Sequence, residues 1–190
     1  MKSVLISIKP EWCELIEKGQ KTIEVRKTKP KLETPFKCYI YQTKRTWIYD
    51  IWQGKIIGEF VCDEITRMAH CGYDNQRIEL NIVDESLKCK KPDKGFLSRC
   101  CLSYSDIGTY ANGGDAYGWH MSDLVIYDEP KELSEFYKGG MLSYDDWHYG
   151  IYNGNGGARS SYESYKNVFK LSKAPQSWCY VEEVMNERKD

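Results

Sequence analysis

The sequence predicts an α+β fold: a small, strongly curved β-barrel with a few short flanking helices. Many short runs alternate apolar and polar residues as strands do, while helical spacing is confined to two or three short segments. No repeat or change of composition marks a domain boundary, and 190 residues suffice for one hydrophobic core. We therefore expect a single domain over residues 1–190, with insertions at about 67–116 and 139–170.

The chain begins with a predicted strand, helix and second strand. Residues 4–8 form an apolar strand, and Pro10 suits the first turn of a helix. The helix is expected to end at Gly19, a residue type favoured just past a helix C-terminus. The second strand covers residues 21–27. The apolar residues of the helix recur at helical spacing: Trp12, Leu15 and Ile16.

The rest of the chain carries shorter signals. Residues 55–65 form the strongest predicted strand, in which Gly58 is a candidate bulge. Residues 144–165 combine Gly and Asn with aromatic side chains, which indicates an irregular flap rather than a plain linker. Further strands are predicted at 37–41, 78–83, 117–120, 124–127 and 177–181, and short helices at 103–110 and 130–137.

Composition is that of an ordinary globular protein, with 41% hydrophobic and 29% charged residues. No apolar run is long enough to cross a bilayer, and the N-terminus lacks the pattern of a signal peptide. We therefore expect a soluble cytoplasmic protein without a membrane partner.

Charge is distributed unevenly along the chain. Residues 1–55 carry twelve Lys or Arg side chains against six Asp or Glu, although the whole chain has a net charge of −1. A basic region on a nearly neutral protein is typical of a modest nucleic-acid or nucleotide binder. A solvated lysine-rich surface is the alternative explanation.

Eight cysteines are scattered without the paired spacing of a zinc site. In the absence of an export signal, reduced thiols are the expectation. We expect no metal and no cofactor. The nearest zinc candidates have irregular spacing and are His70, Cys71, Cys89, Cys100 and Cys101.

The most informative motif is the run Gly-Gln-Lys-Thr-Ile-Glu-Val-Arg at residues 19–26. Because side chains alternate across a strand, Glu24 and Arg26 should share one face, with Lys21 at the junction of helix and strand. Such a cluster can grip a phosphate or a base edge, or tune the lysine for chemistry. A structural ion pair between Glu24 and Arg26 is the alternative.

This run resembles the G-x-K-x-x-E-x-R signature of the ASCH domain, a branch of the PUA-like superfamily. Three ordered stretches, covering roughly half the chain, extend the resemblance to bacterial and phage-borne ASCH proteins. They are residues 7–26, residues 54–65, and residues 117–130 together with 175–180.

The resemblance implies a PUA-like β-barrel whose cleft is lined by the signature residues and binds RNA or nucleotides. Some small ASCH proteins are amidohydrolases of acylated pyrimidine nucleosides. In that branch the lysine matching Lys21 is catalytic, and a threonine nucleophile stands where this chain has Glu24. The departure removes the nucleophile and leaves the rest of the site in place.

Two functions follow from these observations. The first is a binding module for RNA, single-stranded nucleic acid or a modified nucleoside or nucleotide, held by Lys21 and Arg26 with Glu24 as acceptor. The alternative is a hydrolase of acylated nucleosides or RNA, with Lys21 as catalytic group and Glu24 activating water. We favour the binding module.

Closure of a small barrel would bring its first and last strands together. The signature cleft is therefore expected to be faced by Trp119 and His120 and by Ser177 and Trp178, with residues 144–165 over its mouth. Core packing is the alternative role for the two tryptophans, and a structural role for His120. The candidate ligand-binding residues are Lys9, Lys21, Glu24, Arg26, Trp119, His120, Ser177 and Trp178.

Overall fold

The computed structural model describes residues 3–44, 54–71, 79–84, 86, 88–139, 148 and 161–183. The strands are β1 (Ser3–Ile8), β2 (Ile23–Arg26), β3 (Phe36–Gln42), β4 (Ile56–Cys71), β5 (Glu79–Val83), β6 (Cys89–Lys90), β7 (Ala116–Lys131), β8 (Phe136–Lys138) and β9 (Trp178–Glu183). The helices are α1 (Pro10–Glu17), α2 (Lys94–Cys100), α3 (Tyr104–Ala111), α4 (Tyr162–Phe169) and a 3-10 helix (Leu133–Glu135).

The described strands form one mixed sheet, so the predicted α+β class is confirmed. Its main order is β2-β7-β4-β3-β1-β9-β8, with β5 added to β4 and β6 to β5. The pair β1–β3 is parallel, and the others are antiparallel. No helix in the described part of the chain is long and apolar enough to cross a bilayer.

The described sheet is not closed into a barrel, which corrects the expected closure. The strands β2 and β8 are the two ends of its main path. The last strand does adjoin the first, since Ile6 pairs with Trp178. Between β2 and β1, however, the guanidinium of Arg26 donates to the Ser7 carbonyl where closure would need a backbone ladder. A side chain therefore occupies the seam.

The N-terminal helix is confirmed, with Pro10 in its first turn and Gly19 beyond its end at φ +68°. Its buried residues are Pro10, Cys13 and Ile16. Trp12 was expected in the buried stripe but is only half-buried, because it faces the pocket described below.

The two longest strands, β4 and β7, bend past one another through register shifts. The predicted strands at 117–120 and 124–127 are parts of the continuous strand β7. Gly58 lies at one irregularity, where an added Cβ would stand 2.4 Å from the Val125 carbonyl oxygen. The close approach of the two backbones explains the glycine.

Residues 67–116 contain ordered structure that packs beneath β2. The helix predicted at 103–110 is confirmed as α3, which Ser103 and Asp106 cap reciprocally. The helix predicted at 130–137 is wrong in part, because a 3-10 turn there leads into β8. The domain and insertion boundaries stay a prediction. The cluster under β2 consists of Ile23, Val25, Met68, Leu80, Phe96, Cys100, Ile107, Ala111 and Ala116.

The expectation that all cysteines are reduced is corrected by a disulfide between Cys71 and Cys89. These residues lie at the end of β4 and the start of β6, and the β4–β5–β6 meander brings their Cα atoms to 6.6 Å. That separation is within reach of a disulfide, whereas the sequence spacing gave no sign of it. The predicted flap at 144–165 lies mostly outside the described residues.

Candidate functional site

A pocket of about 270 Å³ opens at the seam between β1 and β2. The end of β1 and the start of α1 form one wall, and β2 forms the floor. The other wall is formed by α3 and by Leu102, which precedes it. Its lining residues are Ser7, Lys9, Trp12, Lys21, Glu24, Val25, Arg26, Leu102, Asp106 and Tyr110.

The three signature residues Lys21, Glu24 and Arg26 are brought together here, all of them buried. Ile23 is anchored in the cluster with α2 and α3, which fixes the face of β2 that Glu24 and Arg26 occupy. The rigid strand thus places a carboxylate between two cations.

The ammonium of Lys21 is fully engaged. Its Nζ donates to the carbonyls of Cys100 at 2.7 Å and Ile23 at 3.0 Å, and it lies 3.2 Å from Oε2 of Glu24. An ammonium has three N–H donors, so these contacts use all of them. With an exposure of 3%, Lys21 joins α2 to β2 and positions Glu24. The geometry leaves no amine free for a ligand.

The carboxylate of Glu24 bridges both cations. Its Oε2 faces Lys21, and its Oε1 lies 3.2 Å from Nη2 of Arg26. Each oxygen of a carboxylate has more than one acceptor position, so Glu24 keeps capacity toward the pocket that it lines. The carboxylate therefore lies between two buried cations.

Arg26 presents the one buried guanidinium nitrogen in the described structure that lacks a partner. Its Nη2 donates to the Ser7 carbonyl and faces Glu24, but its Nε has no hydrogen-bond partner among the described residues. An unsatisfied buried donor costs about 1–3 kcal/mol.

Aromatic side chains flank this polar end of the pocket. Trp12 is half-buried on α1, with Nζ of Lys21 5.1 Å from its ring centroid. Tyr110 on α3 is 38% exposed, and Nζ of Lys27 lies 5.2 Å from its ring centroid. Flat faces of this kind accept a stacked ring.

Asp106 adds a second carboxylate to the pocket wall. It accepts hydrogen bonds from the Ser103 hydroxyl and backbone N–H at the start of α3, and these bonds lower the pKa of Asp106. Asp106 is therefore negative at neutral pH. Three cations and two carboxylates line the pocket, so its charges are largely compensated.

The remaining predicted residues lie in different surroundings. Lys9 is exposed at the start of α1 and lines the pocket. Trp119 is fully buried, and its ring centroid lies 5.9 Å from that of Phe36 and 6.0 Å from that of Trp178. It pairs with Glu24 in the β2–β7 ladder but serves the core.

His120 faces a second cavity, which Arg99 and Glu64 also line. Its Nε2 lies 2.8 Å from Oγ1 of Thr66, and its Nδ1 lies 3.7 Å from Oε2 of Glu64. Burial lowers the pKa of His120, while the Glu64 carboxylate opposes that shift. The structure thus places His120 in a cavity separate from that of Lys21.

Ser177 and Trp178 lie behind the pocket wall. The Ser177 carbonyl accepts from the backbone N–H of Ser7 at 2.9 Å. The indole of Trp178 donates to Oγ1 of Thr28 at 2.9 Å. These contacts support the strand end that carries Ser7 and the segment that follows β2.

Sequence reasoning missed the pocket residues contributed by α3 and by the end of β1. Asp106 and Tyr110 are eighty or more positions from the signature, and only the packing of α3 beneath β2 brings them to it. The spacing of Trp12 to Ile16 gave no signal for the pocket, because it placed Trp12 in the predicted apolar stripe of the helix.

The family model of the ASCH domain matches residues 6–182, and the chain belongs to the ASCH domain family. This is a nucleic-acid-associated family of PUA-like proteins.

Solved structures of ASCH from Zymomonas mobilis are similar to this chain. The first has 20% identity and a TM-score of 0.46, covering 69% of this chain and 73% of that one. Two single-substitution variants of the same protein match comparably. One has 19% identity and a TM-score of 0.46, and the match covers 70% of this chain and 77% of that one. The other has 20% identity and a TM-score of 0.45, and the match covers 69% of this chain and 74% of that one. No curated protein matches the chain.

Proposed function

We propose that the chain binds a nucleobase, carried by RNA or by a modified nucleoside, in the pocket between α1, β2 and α3. The observation that carries the proposal is the unpartnered Nε of Arg26, buried beside the Glu24 carboxylate in a pocket with aromatic walls. A donor and an acceptor held side by side suit the polar edge of a base, which presents both kinds of group.

Each part of the pocket has a role in this proposal. Arg26 donates to a ring nitrogen or carbonyl of the base, and Glu24 accepts from an exocyclic amine, both through charge-assisted bonds. Trp12 and Tyr110 supply stacking, which is worth about 1–3 kcal/mol per base. Lys21 acts indirectly, by holding Glu24 in place.

The size and charge of the pocket support a base over a phosphate as the group inside. A volume of about 270 Å³ lies at the small end for ligand pockets. The cations of the pocket are largely offset by the carboxylates of Glu24 and Asp106, so little net charge remains to hold a phosphate, whereas an aromatic base is neutral.

The hydrolytic alternative has less support. Lys21 has all three donors committed to Ile23, Cys100 and Glu24, so it lacks the free lone pair of a general base.

Calorimetric titration with nucleosides tests the proposal, with two tyrosines of α3 as a matched pair. Tyr110→Ala removes a pocket wall and is expected to weaken nucleoside binding by about 1–3 kcal/mol. Tyr104→Ala changes a tyrosine of the same helix whose hydroxyl faces Glu79, and should leave the affinity unchanged. Equal losses in the two variants, or no saturable binding to the wild type, would contradict the proposal.

A further inference from the structure

The segment that leaves β2 forms a row of exposed lysines at the rim of the pocket. Lys27, Lys29 and Lys31 alternate with Thr28 and Pro30, and all three lysines are exposed. Among the described residues, no carboxylate forms an ion pair with any of them. This local positive charge is uncompensated, in contrast to the charges inside the pocket.

The row is held in place by aromatic residues of β9. The indole of Trp178 donates to Oγ1 of Thr28 at 2.9 Å, and the backbone N–H of Lys31 donates to the Tyr180 hydroxyl at 2.7 Å. Pro30 is buried between these two contacts. The tryptophan is itself packed on Trp119 in the core. The backbone beneath the lysines is therefore anchored at two points on one strand.

The row begins where the pocket ends. Nζ of Lys27 lies over the ring of Tyr110, the residue that forms the pocket's aromatic wall. Alternate residues of a chain are at most about 7 Å apart. Successive phosphates of an extended single strand are separated on a similar scale, so consecutive lysines of the row can meet consecutive phosphates.

We propose, resting on the function proposed above, that Lys27, Lys29 and Lys31 form a phosphate track. The ligand would then be a single-stranded polynucleotide with one base in the pocket, not a free nucleoside. Lysines in such a groove contact the backbone without reading sequence, while the base in the pocket supplies the specificity. The track also gives Thr28, Trp178 and Tyr180 a role as positioning residues.

The test compares a labelled hexanucleotide with the free nucleoside on the full chain. The double variant Lys29→Gln and Lys31→Gln keeps Lys27, which touches Tyr110. The control, Lys88→Gln and Lys90→Gln, removes two exposed lysines at alternate positions beside and within β6, a strand that pairs only with β5 among the described strands. Fluorescence anisotropy at several salt concentrations gives the affinity and its salt dependence, and RNA and DNA hexamers separate the two sources of phosphate.

The track variant is expected to bind the hexamer roughly tenfold more weakly at low salt. The slope of log affinity against log salt should fall by about 1.4, since each phosphate contact on a single strand contributes about 0.7. Affinity for the free nucleoside should change less than twofold. The control pair should change neither the hexamer affinity nor the salt slope. The expected losses in the track variant support the track whether they are seen with the RNA or with the DNA hexamer.

The outcomes separate this proposal from the one on which it rests. If the nucleoside binds but the track variant has the wild-type affinity for the hexamer, the track proposal is wrong and the pocket proposal is unaffected. Failure of the wild type to bind either probe would overturn the pocket itself. Polyglutamate binding as tightly as the hexamer at equal ionic strength would also overturn the track, because the row would then be a surface for acidic proteins.

Discussion

At the scale of single residues, the Glu24 carboxylate is the group on which the site depends. It separates two buried cations, at 3.2 Å from each. Breaking a buried ion pair from one side costs more than the pair contributes, because a charge is left without compensation. The triad is therefore a sensitive point for stability.

Glu24→Gln is expected to lower the free energy of unfolding by about 3–5 kcal/mol. Urea denaturation followed by tryptophan fluorescence measures this change. Glu163→Gln serves as control, because Glu163 pairs with Lys166 on the exposed face of α4 and such a pair contributes about 0–1 kcal/mol. A loss of similar size in both variants would show that Glu24 does not compensate the two buried cations.

For single residues, the sequence predicted which side chains form the cluster but not which groups they contact. Alternation along residues 21–27 was enough to place Glu24 and Arg26 on one face. One N–H of the Lys21 ammonium donates to the carbonyl of Cys100, a contact across 79 positions that no local pattern encodes. The predicted site role of each residue stays a prediction.

At the scale of elements, β4 and β7 bend closely past one another, and the helix α3 forms one wall of the pocket. β4 carries Gly58 where β7 approaches most closely, and α3 carries Tyr110 on the pocket wall. Both elements contain a glycine, but the two glycines have different surroundings. This difference allows a paired test of the packing.

Gly58→Ala and Gly108→Ala are expected to change stability in opposite directions. At Gly58 an added Cβ would lie 2.4 Å from the Val125 carbonyl oxygen, so the strands must separate and the protein is destabilised by about 1–3 kcal/mol. At Gly108, inside α3, nothing lies within 4 Å, and alanine should stabilise the helix by about 0.5–1 kcal/mol. Thermal unfolding of both variants checks the signs, and a stabilising Gly58→Ala would mean that β4 and β7 are farther apart.

The elements were largely predictable because their signals are local. Proline at the start of α1, the capping residues of α3 and the alternation in β4 each act within a few residues. The continuity of β7 was not predictable, because Asp123 interrupts the pattern with a positive φ while the ladder to β4 runs on through a register shift. The continuity of β7 therefore depends on its pairing with β4, which is distant in the sequence.

At the scale of the whole molecule, the candidate pocket lies beside β2, an end strand of the described sheet. The expected barrel would have filled the seam between β1 and β2 with backbone hydrogen bonds. Instead, Arg26 crosses the seam to Ser7, and the space beside it is the pocket. The last strand pairs with β1, whereas its predicted neighbour was the signature strand β2. Trp178 reaches the segment after β2 only through its indole bond to Thr28, and Trp119 belongs to the core.

The central claim is that a ligand base satisfies Nε of Arg26. The most direct measurement is the ¹H–¹⁵N resonance of that Nε–H during titration with a nucleoside, assigned by its loss in Arg26→Lys. We predict that it shifts with the same saturation curve as the calorimetric binding, while the Nε–H of Arg99, in the other cavity, does not move. Saturable binding that leaves the Arg26 resonance unperturbed would contradict the account.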